Sequence, residues 1–134
     1  MTDHPGPGPR ILLVEDEPAN RALVRAIIAR TDRPELRGIV LHEAVTIAEA
    51  RSVLANHPVD LVLVDVRLPD GSGLDLATEL RAHPSAGPAK IVIVSASVLP
   101  GERTSALATG ADAFLAKPFG ASDLIDLLVR LSGS

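Results

Sequence analysis

The chain has 134 residues, a formal net charge of -4, a sequence pI near 5.5 and no cysteine. This composition excludes a disulfide framework, a thiolate nucleophile and a Cys-ligated metal site, and argues against a basic nucleic-acid footprint. A chain 46% hydrophobic and 22% charged at this length is one globular domain with a single core, built from Val, Ile, Leu and Ala because only Phe114 and Phe119 are aromatic. No uncharged run approaches the roughly 18 residues that span a bilayer, and no basic-then-apolar leader opens the chain, so the default expectation is a cytoplasmic protein with no membrane and no nucleic acid as a direct partner.

Residues 1–9 hold three prolines and two glycines with nothing to bury, and read as a flexible N-terminal tail in which His4 is a solvated side chain. From Arg10 the apolar run Ile11-Leu12-Leu13-Val14 reads as a strand ending at Glu15-Asp16-Glu17. Pro18 opens a helix over 18–29, with Leu23, Val24, Ile27 and Ile28 at helical spacing. Residues 30–38 form a polar connection longer than usual, with Pro34 inside it and no assignable role. A second strand covers 39–44. Thr46-Ile47-Ala48-Glu49 matches a capping box, with Ile47, Ala50 and Leu54 on one face of a helix that runs to about residue 56.

The third strand, 59–65, delivers a single carboxylate, Asp65, to the loop Val66-Arg67-Leu68-Pro69-Asp70-Gly71-Ser72-Gly73. Leu74, Ala77 and Leu80 share a face of a third helix ending near His83-Pro84, and a polar stretch, 85–88, leads to a fourth strand, 90–95, that ends on Ser95. Pro100 opens a short helix closed by Gly110 as C-cap. Its weak apolar stripe makes it the least firmly docked. The fifth strand, 111–116, ends at Lys117-Pro118-Phe119, and a last helix has Ser122 as N-cap and Leu124, Ile125, Leu127, Leu128 and Leu131 inward. Strand and helix alternate five times, which predicts an α/β fold, a (βα)5 doubly wound five-stranded parallel sheet with right-handed crossovers and no second domain. Ligand sites in such sheets lie at the carboxyl ends of the strands. There the sequence places two acids, a third acid, a hydroxyl and a cation.

Val14-Glu15-Asp16-Glu17, the block Leu63 through Gly71, Val94-Ser95-Ala96 and the block Gly110 through Phe119 together resemble a response-regulator receiver domain, with a flavodoxin-like (CheY-like) three-layer sandwich as the implied fold. The likeness covers 10–131, leaving 132–134 as a C-terminal tail. Each motif alone is weak. Four in this order at four successive strand ends are specific.

The resemblance implies a phosphorelay component of a two-component system, with Asp65 as phosphoacceptor and a histidine kinase or histidine phosphotransfer protein as donor. It is not an enzyme in the ordinary sense, although it assists its own phosphorylation and slow dephosphorylation. A carboxylate attacking phosphorus forms an acyl phosphate. Both reactants are anionic, so positive charge is required, and Mg2+ suits a site of few carboxylates because it keeps several waters. By resemblance, Asp16 and Asp65 hold the ion directly, the backbone carbonyl of Arg67 completes the protein's share, and Glu15 acts through water. Lys117 and Ser95 meet phosphoryl oxygens, the Lys117-Pro118 bond is cis, and Ser95 and Phe114 form the switch that changes affinity for a downstream protein. Phe114 cannot hydrogen-bond, so its part is steric. Glu17 favours the following helix N-terminus.

Arg67, two residues after Asp65, and Ser97, two after Ser95, occupy positions that vary among receivers; Arg67 is expected to touch the phosphoryl group or a neighbouring acid. Two other readings compete. A phosphorylation-independent docking module would retain only the fold, against the presence of all five site residues. A phosphatase working through aspartyl phosphate would want a second Asp where Arg67 stands.

Overall fold

Five apolar segments pair side by side as parallel strands: β1 (Arg10–Val14), β2 (Val40–Ala44), β3 (Leu61–Asp65), β4 (Lys90–Ser95) and β5 (Ala113–Ala116), in the order β2-β1-β3-β4-β5. The helices α1 (Pro18–Arg30), α2 (Ile47–Asn56), α3 (Gly73–Ala82), α4 (Pro100–Ala108) and α5 (Ala121–Ser132) alternate with them. This computed structural model describes residues 8–83, 90–96 and 100–132. The tail over 1–7, the polar stretch 85–88, Ser97 and residues 133–134 lie outside the described residues. Among the described residues no helix is long and apolar enough to cross a membrane.

The strands of the centre are buried on both faces, which is why they read as continuous apolar runs instead of alternating ones. Period-2 geometry still divides them. Leu12, Val14, Val62, Val64, Ile91 and Ile93 face one layer with Ile47, Ala50, Leu76, Ala77 and Ala106 of α2, α3 and α4. Ile11, Leu13, Leu61, Leu63, Val92 and Val94 face the other, with Val24 and Ile27 of α1 and Leu124, Leu127 and Leu128 of α5. Each fully buried Leu, Ile or Val contributes on the order of 1.5–3 kcal/mol, so the core rests on aliphatic packing, with Phe114 and Phe119 only partly buried against it.

Several local details differ from the sequence expectation, each for a physical reason. The 30–38 connection is not merely polar: a 3-10 turn, Pro34–Leu36, tucks Leu36 beneath the α1/α5 layer at 2% exposure. Gly8 and Pro9, placed in the tail by composition, are hydrogen-bonded, with the Gly8 amide donating to the Gly38 carbonyl and the Val40 amide to the Pro9 carbonyl. β3 and β5 each begin two residues later than expected. Asp60 and Asp112 stand just before them, and their carboxylates accept from the Arg10 and Ile91 amides at 2.8 and 2.7 Å. Ser122 is not the cap of α5. Gly120 occupies that place, and Asp123 Oδ2 accepts from its amide at 2.9 Å, the acidic half of a capping box.

The capping box of α2 forms, and it is larger than expected. Thr46 Oγ1 accepts from the Glu49 amide and Glu49 Oε1 accepts from the Val45 amide. Two further orphan donors, the Ile47 and Ala48 amides, are taken by Asp70 at 2.8 and 3.1 Å. Asp70 sits in the turn of a two-strand ribbon, Arg67–Leu68 against Gly71–Ser72, that follows β3. One carboxylate thus ties the loop after Asp65 to the start of α2.

The Ile47 amide first, then the Ala48 amide and the Arg51 charge, hold the Asp70 carboxyl below its ordinary value of 3.8 against a desolvation effect smaller than the Ile47 bond. A group with a depressed folded pKa stabilises fully above its unfolded pKa and loses that contribution as pH falls through the folded value. Asp70→Asn should therefore lower Tm at neutral pH, and the wild-type and variant Tm curves should converge as pH drops below 3.8. Curves that stay parallel through this window would remove the charge of Asp70 from the cap.

Candidate functional site

β1 and β3 are neighbours, but the chain leaves β1 toward β2 and leaves β3 toward β4, so a crevice opens at their carboxyl ends. Glu15 and Asp16 emerge from β1 and Asp65 closes β3. One carboxylate oxygen from each of the three lies within 4.8 Å of the others. Glu15 is buried at 3% exposure, Asp65 is half-buried and Asp16 is exposed.

Lys117 answers this concentration of charge. Its Nζ donates to Glu15 Oε1 at 2.7 Å and to Asp65 Oδ2 at 2.8 Å. The strand end that presents it is held by the Lys117 amide donating to the Ser95 carbonyl at 2.9 Å, and the Lys117-Pro118 bond that follows is cis. Burial is the largest influence on the ammonium and would lower its pKa. The hydrogen bonds to Asp65 and Glu15, together with their charges, outweigh it and leave the group above the ordinary 10.5. One cation against three carboxylates leaves a formal surplus of two negative charges.

The backbone around the nucleophile candidate is equally fixed. The Glu17 amide donates to Glu15 Oε2, Arg21 Nη1 donates to the Glu15 carbonyl, and the Arg67 amide donates to Asp65 Oδ1 at 3.3 Å. Glu17 takes the N-cap position of α1 without a side-chain cap bond. Gly73, the first residue of α3, lies so close that a Cβ there would sit 2.0 Å from the Asp65 carbonyl oxygen. The helix is seated against the strand end because nothing projects from that position.

The remaining predicted residues stand around this centre. Ser95, 3% exposed at the end of β4, donates its hydroxyl to Glu102 in the first turn of α4. Phe114 is half-buried against the α2/α3/α4 layer and lines a groove of about 560 Å3 with Leu115, Ala116, Pro118 and Leu127. The Arg67 side chain is exposed. Sequence reading missed the partners: Asp70 and Gly73 stood only as parts of the loop after Asp65, and Glu102 only as a residue of the weakly striped helix. Only the acidic first turn of α4 left any trace of the last. The expected C-cap at Gly110 is present with φ 98°, and Arg81 of α3 holds it, Nε donating to the Gly110 carbonyl at 2.7 Å and Nη2 to Asp112.

The three carboxylates form an all-oxygen donor set, which suits a hard divalent cation such as Mg2+. Titration with MgCl2 to ten times its dissociation constant would stabilise a one-site protein by about 1.4 kcal/mol, raising Tm by about 3–6 °C in a chain of this size. Asp16→Asn, at an exposed position, should abolish most of that rise while leaving the metal-free Tm nearly unchanged; an unchanged rise would take Asp16 out of the site. Gly73→Ala should cost about 1–3 kcal/mol or more in urea unfolding, and an unperturbed variant would refute the close seating of α3.

A family model described as the response regulator receiver domain matches residues 11–129. The KDP operon transcriptional regulatory protein KdpE of Escherichia coli is 35% identical over 114 residues, covering 85% of this chain and 47% of that protein. The response regulator protein PilR of Pseudomonas aeruginosa is 34% identical over 119 residues, covering 89% of this chain and 25% of that protein. The chain thus spans half or less of the length of these relatives. Among solved structures, the receiver domain of sensor histidine kinase PA1611 from Pseudomonas aeruginosa, with a magnesium ion coordinated in its active-site cleft, superimposes with a TM-score of 0.80 at 31% identity, covering 95% of this chain and 99% of that one. A doubly wound sheet that gathers acids at its switch point, with a family match along nearly its whole length, leaves one assignment: the chain belongs to the response regulator receiver domain family, the signalling domains of two-component systems.

Proposed function

We propose that Asp65 accepts a phosphoryl group from a histidine kinase or a histidine phosphotransfer protein, in a Mg2+-dependent reaction in the cytoplasm, and that the phosphorylated chain changes its affinity for a downstream protein. The observation that carries this reading is the position of Asp65: a lone carboxylate at a strand end, 2.8 Å from Lys117 and grouped with Glu15 and Asp16. Asp16, Asp65 and the Arg67 backbone carbonyl would hold the ion directly and Glu15 would act through water. Bound there, Mg2+ would offset the surplus negative charge that otherwise repels an incoming phosphoryl group.

The chain's own residues account for the rest. An Asp65 oxygen attacks phosphorus as the donor's P–N bond breaks, the bonding pair passing to the imidazole nitrogen, and an acyl phosphate forms on Asp65. Lys117 exchanges its hydrogen bond with Asp65 for one with a phosphoryl oxygen; its flexible stem lets the ammonium follow the charge. Ser95 donates a hydrogen bond from its hydroxyl to another phosphoryl oxygen. Phe114, paired in register with Ile93 on β4, takes up the space that opens as Ser95 shifts. Arg67, exposed beside Asp65, is placed to touch the phosphoryl group and set how long it lasts.

Incubation with acetyl phosphate and MgCl2 followed by intact mass measurement tests this directly. A gain of about 80 Da is expected in the wild type and none in Asp65→Asn, with Lys117→Met slower by about a hundredfold. Arg67→Ala should change the half-life of the modified species, and equal half-lives would remove Arg67 from the reading. Partner binding with no mass gain would instead identify a phosphorylation-independent docking module, and sustained turnover of other phosphoesters a phosphatase.

A further inference from the structure

α4 is held to the rest of the molecule in an uneven way. Of its described side chains, Ala106 alone is buried, while Leu107 is 40% exposed. Apolar packing therefore fixes little of it. Its carboxyl end is tied polarly: Arg81 of α3 bonds the Gly110 carbonyl and Asp112, and Asp112 bonds the Ile91 amide at 2.7 Å. Its amino end is tied by Glu102, which accepts the Ser95 hydroxyl.

We infer that Glu102 is a latch: it commits the Ser95 hydroxyl in the resting state, so that phosphorylation of Asp65 must draw that hydrogen bond away from Glu102 and release the amino end of α4. This rests on the phosphoacceptor reading of Asp65. An ionised carboxylate can only accept, so Ser95 is the donor in this pair, and a hydroxyl has one proton to give. Glu102 and a phosphoryl oxygen are therefore rivals for the same hydrogen. A phosphoryl group with nearly two negative charges is the stronger acceptor and also repels the displaced Glu102. The Arg81 tie involves neither Ser95 nor Glu102, so it stays closed, and α4 pivots about the 109–112 turn instead of detaching. Coupling is reciprocal: an act that opens the latch favours phosphorylation to the same degree that phosphorylation opens the latch.

The test uses acetyl phosphate, MgCl2 and intact mass on the full chain, with folding checked by circular dichroism. Glu102→Ala should gain the phosphoryl mass about three- to tenfold faster than wild type, the scale expected for losing a competing hydrogen bond to a charged acceptor. Glu102→Gln, whose amide oxygen still accepts, should fall between them. In a Ser95→Ala background the Glu102→Ala effect should vanish. Equal rates in wild type and Glu102→Ala overturn the latch, and so does an acceleration that persists without the Ser95 hydroxyl, since bare charge repulsion then suffices. No mass gain in the wild type refutes the phosphoacceptor reading instead. Hydrogen exchange on the unmodified protein then decides the contact itself: Glu102→Ala should speed exchange in the first two turns of α4 and leave the 109–112 turn unchanged, and uniform exchange would overturn it.

Discussion

The Lys117 ammonium between Glu15 and Asp65 is the contact on which the other features of the site depend. Bringing three carboxylates within 4.8 Å at the mouth of a low-dielectric sheet is costly, and Glu15 has almost no access to water to relieve it. Lys117 neutralises part of that charge at hydrogen-bond distance. It leaves the remainder unmet, so the resting site is at once stable enough to fold and short of positive charge. That shortage suits a site able to take up a hard divalent cation.

Close and sparse packing are distributed along the strand ends accordingly. The backbone on the Asp65 side is fixed by the close approach of Gly73 and, through Asp70, by the start of α2. Beyond β3, β4 and β5 lead to the buried Ser95, the half-buried Phe114 and α4, of whose described side chains Ala106 alone is buried. The main chain at Asp65 is thus the more tightly held of the two sides.

The fold was legible because it follows from periods and punctuation. Apolar runs such as Leu61 to Val64 could only be two-face-buried strands, and Thr46 with Glu49 announced a helix start that the structure contains. The candidate residues could be picked out because each sits at a strand end, where position itself carries meaning, and the structure brings Glu15, Asp16, Asp65 and Lys117 together there. What stayed hidden were contacts between residues far apart in sequence with no repeat to betray them. Asp70 capping a helix 23 positions earlier, Leu36 turned inward from a polar stretch and Glu102 reaching Ser95 across a loop all depend on tertiary geometry. Ser122 misled because the helix already begins at Ala121, with Gly120 at the cap and Asp123 closing on its amide.

The division of the core by strand pleat has a consequence for how this sequence can vary. Leu12 and Leu13 are adjacent in the chain, yet they belong to layers separated by the sheet, one under α2, α3 and α4 and the other under α1 and α5. Volume changes in one layer are compensated only by neighbours in that layer, whereas changes on opposite sides share no partners and combine additively. The two faces of the domain can therefore drift independently while both keep the same five strands.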